Sequence, residues 1–144
     1  MGALEIAIRI ASQRLQGDAD YQARVASKRA LQDEAASELY KELQELAGAI
    51  VMVGNVRAQL EVSREPARVA IRAIEQIQFE VKDDPRNRFR YKRGTQQVAG
   101  WYAEGTAKGY ATLRTGEPSQ EHGQLEDAVK AIAESVGRVL LPGA

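Results

Sequence analysis

The chain has no cysteine, which excludes disulfides and thiol catalysis. It has a single histidine, His122, so a zinc or iron site built from imidazole and thiolate is not expected. Net charge is also missing: 20 basic residues balance 20 acidic ones, and no global field draws the molecule towards nucleic acid. Any such affinity has to come from local clustering. No apolar run approaches the roughly 20 residues needed to span a bilayer, and Met-Gly-Ala-Leu-Glu lacks the basic start and apolar run of a signal peptide. The expected location is the cytoplasm or the inside of an assembled particle, with no secretion and no membrane partner. Walker loop, dinucleotide fingerprint, HExxH and nucleophile elbow are all missing.

What is present suits one folded domain. At 144 residues, 44% apolar and 28% charged, the chain is long enough to bury a core without metals or staples. The stretch that organises the reading is Asp20–Leu60, which carries no proline. Ala36, Leu39, Leu43, Leu46, Ile50, Val53 and Leu60 fall on one seam spaced by threes and fours, interrupted by Arg57. That 3.5-residue pattern predicts a helix packed lengthwise on other helices.

Around it the spacing predicts shorter helices. Leu4, Ile8, Ala11 and Leu15 make one stripe over Ala3–Gln16, with Gly17 in a C-cap position. Val69, Ala73, Ile74, Ile77 and Val81 form a helical face after Ser63 and before Pro85. A fourth helix runs from Thr95 to Leu113, with a row of Ala99, Ala103, Ala107 and Ala111 and bulk from Trp101 and Tyr102. Leu125, Val129, Ile132, Val136, Val139 and Leu140 give the last, ended by Pro142-Gly143. The expected fold is all-α: about five helices in an elongated bundle on a central helix near 20–60. Residues 1–144 form a single domain, with a basic connector at 82–94 and a loop at 114–123.

The length of the central helix poses a geometric problem. About 40 residues make roughly 60 Å of helix, against a diameter of roughly 35–40 Å for a compact domain of this size. The helix therefore breaks, at Gly48 or Gly54-Asn55, or it projects from the body, or the whole domain is an elongated bundle; an elongated or projecting helix is the expectation. Its first half is weakly apolar, with Tyr21, Val25 and Leu31 among Gln, Arg, Lys and alanines. These three are the expected assembly interface, exposed in the isolated chain.

Chemistry concentrates in Arg86-Asn87-Arg88-Phe89-Arg90-Tyr91-Lys92-Arg93. In an extended conformation Arg86, Arg88, Arg90 and Lys92 share one side, and Phe89 and Tyr91 take the other. Arginine forks suit phosphate, and interleaved aromatics stack on bases or anchor the segment. Three readings stand: a loop that contacts DNA or RNA through Arg86, Arg88, Arg90, Lys92 and Arg93; a solvated basic connector paired with Asp83 and Asp84; and a dock for an acidic protein.

Arg57 on the seam is expected to snorkel from the core edge; holding a buried carboxylate, binding an anion or fixing register between subunits are the alternatives. His122 reads as a solvated loop residue, and Trp101 and Tyr102 as core. Glu34, Glu38, Glu42 and Glu45 lack the Glu-x-x-His partners of di-iron bundles and read as a solvent-facing stripe. No catalytic residue, cofactor or metal site is expected.

In type, being small, helical and basic-looped, the chain is similar to small helical subunits of nucleoprotein complexes and to phage head–tail connector or adaptor proteins. The expected function is a non-enzymatic helical subunit of such an assembly, in homo- or hetero-oligomeric contact with other proteins, whose basic loop touches nucleic acid or another polyanion. A protein-only adaptor or chaperone and a small helical-bundle enzyme are the alternatives.

Overall fold

A computed structural model describes residues 2–81 and 90–143, with 79–81 and 90–91 described by backbone alone. Helix α1 (Ala3–Leu43) is one uninterrupted element. The predicted Ala3–Gln16 helix and the start of the Asp20–Leu60 helix are therefore the same helix, and Gly17 lies in its interior. Glycine there costs about 1 kcal/mol, offset by neighbouring leucine, alanine, arginine and glutamine, which favour helix. Because the helix is continuous, the stripe Leu4, Ile8, Ala11, Leu15 and the seam Ala36, Leu39, Leu43 fall in a single three-four register.

The helix ends well before Leu60. A single 3₁₀ turn follows (Gln44–Leu46), then Gly48 at φ +84°, a left-handed conformation that glycine adopts without strain. From there the all-α expectation is overturned. The chain forms β1 (Ile50–Val53), β2 (Val56–Arg64), β3 (Arg68–Val81), β4 (Arg90–Thr106), β5 (Gly109–Arg114) and β6 (Gln120–His122). Among the described residues they make one antiparallel sheet in chain order. Helix α2 (Leu125–Gly137) follows, largely where the sequence puts it.

Local chemistry explains the strands. Ile50-Val51-Met52-Val53 is β-branched and apolar, and Gly54-Asn55 is a two-residue turn that pairs Val53 with Val56. Pro66 sits in the β2–β3 turn, where Glu65 N–H donates to the Arg68 carbonyl (2.9 Å). The β4–β5 turn ends on Gly109 at φ +139°, where a Cβ would meet the His122 carbonyl oxygen at 2.4 Å. The expected loop at 114–123 contains β6, and His122 is not a solvated loop residue. It is half-buried, with Nε2 2.8 Å from the hydroxyl of buried Thr112.

One face of the sheet carries the core. Val51, Leu60, Val69, Ile71 and Trp101 meet Leu39 and Leu43 of α1 and Ile132 and Val136 of α2, all at most 2% exposed. Trp101 Nε1–H donates to Ser135 Oγ (2.8 Å), so the one polar atom of the largest core residue is satisfied. At Gly105 a Cβ would stand 2.4 Å from the Ala35 Cβ, so glycine lets α1 lie directly on β4. The alanine row expected on a helix at 99–111 lies on strands β4 and β5 and their turn instead. Arg64 ties the crossing: its guanidinium donates to Asp33 Oδ1 (2.7 Å), the Asp33 carbonyl and Ser37 Oγ.

Two parts extend beyond this body. Packing of α1 begins near Gln32, and the preceding residues from Ala3 are exposed except Ala11 and Val25, which are half-buried. At 1.5 Å per residue that is roughly 43 Å of helix. The other part is the outer half of the β3–β4 pair.

Candidate nucleic-acid interface

β3 and β4 are the longest strands, at 14 and 17 residues, and they outrun their neighbours. Among the described residues β2 pairs with β3 only as far as Gln59↔Ile74, and β5 pairs with β4 only from Trp101↔Arg114. Outward from there the two strands have only each other, through Glu75↔Gln96, Gln76↔Thr95, Ile77↔Gly94 and Gln78↔Arg93 to Val81↔Arg90. The result is a two-stranded ribbon. Its base is marked by a register shift: Ala73 faces Ala99 but Ile74 faces Gln97, leaving Val98 as an extra residue. Such a bulge bends the strand and increases its twist where the ribbon leaves the sheet.

The described part of the basic run, Arg90 to Arg93, lies at the outer end of this ribbon. Arg86, Arg88 and Phe89 lie outside the described residues. Arg90 and Tyr91 are in strand β4, and Lys92 and Arg93 are exposed on it. The connector expected at 82–94 is thus in part a strand, and the extended conformation considered for the run holds from Arg90 onward. Residues 82–93 hold six cations (Lys82, Arg86, Arg88, Arg90, Lys92, Arg93) against Asp83 and Asp84.

The expected interface residues on α1 also have definite places. Tyr21 is 63% and Leu31 67% exposed, whereas Val25 is half-buried. Leu31 joins Ser27, Ala35, Gly105, Ala107 and Tyr110 around an open groove of about 890 Å³, where α1 leaves the β4–β5 turn. The Tyr110 hydroxyl donates to Glu38 Oε2 (3.0 Å) at its edge, and burial, together with that carboxylate, raises the Tyr110 pKa. Nearer the N-terminus Leu4, Ile6, Ile8, Ile10 and Leu15 are exposed as well, apolar surface that the sequence reading had placed within a bundle helix.

Arg57 does not interrupt a helical seam; it is exposed on β2 opposite Met52. The densest charge cluster is structural. Glu65 accepts from Arg68 Nε (2.7 Å) and from an Arg72 guanidinium N–H (2.6 Å), and Arg68 stacks 4.2 Å from the Tyr102 ring centre. Tyr102 is therefore half-buried on the outer face, whereas Trp101 is core. The hydrogen bonds from Arg68 and then Arg72 hold the Glu65 carboxyl below the usual carboxylate range. Arg68 and Arg72 share the one Glu65 carboxylate, so the cluster fastens the β2–β3 turn. Among the described residues no group of three His, Asp or Glu is placed to hold a metal ion.

Comparison with family models, curated proteins and solved structures gave no match. The likeness to small helical subunits rested on an all-helical reading and falls with it. Among the described residues no helix is long and apolar enough to cross a membrane.

Proposed function

We propose that the chain is a non-enzymatic subunit of a larger assembly, of nucleoprotein or virus-particle type, that touches nucleic acid through its β3–β4 ribbon. The observation that carries this is the ribbon itself: two strands that outrun the rest of the sheet, with Arg90, Lys92 and Arg93 at the outer end of β4, in a stretch of sequence (82–93) with six cations against two carboxylates. Arg90, Lys92 and Arg93, with Arg86 and Arg88 beyond them, supply the phosphate contacts, and Phe89 and Tyr91 supply anchoring or stacking. The exposed apolar side chains of α1, Tyr21 and Leu31 among them, supply the protein contacts.

The test is the mass of the native particle by light scattering, with and without nucleic acid at low salt. The proposal expects a complex heavier than the chain alone and a further increase when DNA or RNA is added. A complex between copies with no uptake of nucleic acid favours the protein-only adaptor, whose basic end docks an acidic partner.

A further inference from the structure

We infer that the outer face of the ribbon reads base edges in the major groove of duplex DNA, which deepens the nucleic-acid reading and rests on it. Register and exposure carry the inference. Gln76 stands opposite Thr95 and Gln78 opposite Arg93, so these four side chains share one face, with Gln97 next along it opposite Ile74. Gln76, Gln78, Arg93, Thr95 and Gln97 are all exposed, and the next register pair outward on this face is Glu80 opposite Tyr91. The other face differs: Ile77 opposite Gly94 is half-buried, as is the carboxylate-bearing Glu75 opposite Gln96. Over this span the exposed face brings Gln76, Gln78, Gln97 and Thr95 together, amides and a hydroxyl that pair with base edges, while the other face carries Gln96 beside Glu75.

The dimensions fit. The major groove is about 12 Å wide and admits a two-stranded ribbon, whose strands lie about 4.8 Å apart. Gln76 and Gln78 are separated by about 6.7 Å along the strand, close to two base-pair steps at about 3.4 Å each. The chemistry fits as well. A glutamine amide both donates and accepts, matching adenine N6 and N7. A threonine hydroxyl suits several base edges, and Arg93, at the outer end of the face, belongs to the flanking phosphate contacts. The cations at the outer end then act on phosphates, which fixes register without reading sequence.

The experiment is selection from a pool of random-sequence duplexes by the full chain at moderate salt, followed by anisotropy titrations with the enriched duplex, a scrambled duplex and a single-stranded RNA. The wild type should enrich a short motif of about three to four base pairs. Gln76→Ala with Gln78→Ala should lose about tenfold in preference per glutamine while keeping the wild-type salt slope, and an unchanged unfolding midpoint shows the variant to be folded. Salt-steep binding with no enriched motif overturns this inference alone and leaves the phosphate-contact reading standing. So does an unchanged motif in the double variant, or RNA outcompeting the duplex. Absence of binding to any nucleic acid at low salt overturns both.

Discussion

β3 and β4 are the same two strands in two settings, and the contrast between them organises the molecule. In the body, Val69, Ile71 and Ala73 of β3 and Trp101 and Ala103 of β4 lie under two helices and are at most 1% exposed. Past the bulge at Val98 the ladder continues with its cross-strand pairing intact, but the pairs become Gln76↔Thr95 and Gln78↔Arg93, exposed on the outer face. Backbone hydrogen bonding is common to both halves, so it is not what separates them. Packed apolar surface is. An isolated two-stranded ribbon is marginal in water, so this one draws its order from the body, and its side chains are free to be chosen for something other than stability.

Substitutions should reveal that asymmetry. Trp101→Ala empties the centre of the core and breaks the bond to Ser135; it should cost about 3–5 kcal/mol in urea unfolding. Ile77→Ala, the nearest apolar equivalent in the ribbon, should cost less than about 1 kcal/mol, since exposed and half-exposed sites lack the cavity term. Equal losses at the two sites would erase the distinction. Gly105→Leu comes next. Its side chain has to displace Ala35, and overpacking of this kind costs about 1–3 kcal/mol. Loss without change in the β-sheet circular dichroism would place the damage at the α1 crossing.

A smaller effect is read by hydrogen exchange. Ribbon amides at Gln76–Gln78 and Arg93–Gln97 should open without global unfolding and exchange well before those of Val69–Ala73. Smallest is the acid limb of stability. The folded state lowers the Glu65 pKa through Arg68 and Arg72, so its contribution is present above the unfolded value near 4.3 and is lost as pH falls through the lower folded value. Glu65→Gln should flatten the stability curve below about pH 4 and leave the binding of the ribbon unchanged.

The sequence made one half of this contrast easier to read than the other. The Ala36–Leu39–Leu43 seam, the exposure of Tyr21 and Leu31, the burial of Trp101 and the C-terminal helix were all legible, because each rests on burial or on a helical stripe with little competition. The strands were not, for a geometric reason. A spacing of four residues is about one helical turn and also two strand repeats, so Val69, Ala73, Ile77 and Val81 line one face in either structure. The same holds for the alanine row at 99–111. Ile71 between Val69 and Ala73, and Gly54-Asn55 after a β-branched run, were the signals that favour strands. The helical reading also hid Gln76 and Gln78 among its polar positions, and only register with Thr95 and Arg93 gathers them into a face. The basic run was visible in composition alone; that part of it continues a ribbon was not.

The central claim is that the body carries stability and the ribbon carries binding. A salt titration of duplex binding tests it most directly, with Lys92→Glu/Arg93→Glu beside the wild type and the unfolding midpoint of each recorded. The account predicts a steep loss of affinity with salt for the wild type. It predicts a slope flatter by about two in the variant, at roughly 0.9 per phosphate contact, with the unfolding midpoint unmoved. An unchanged slope, or no binding by the wild type at low salt, would contradict it.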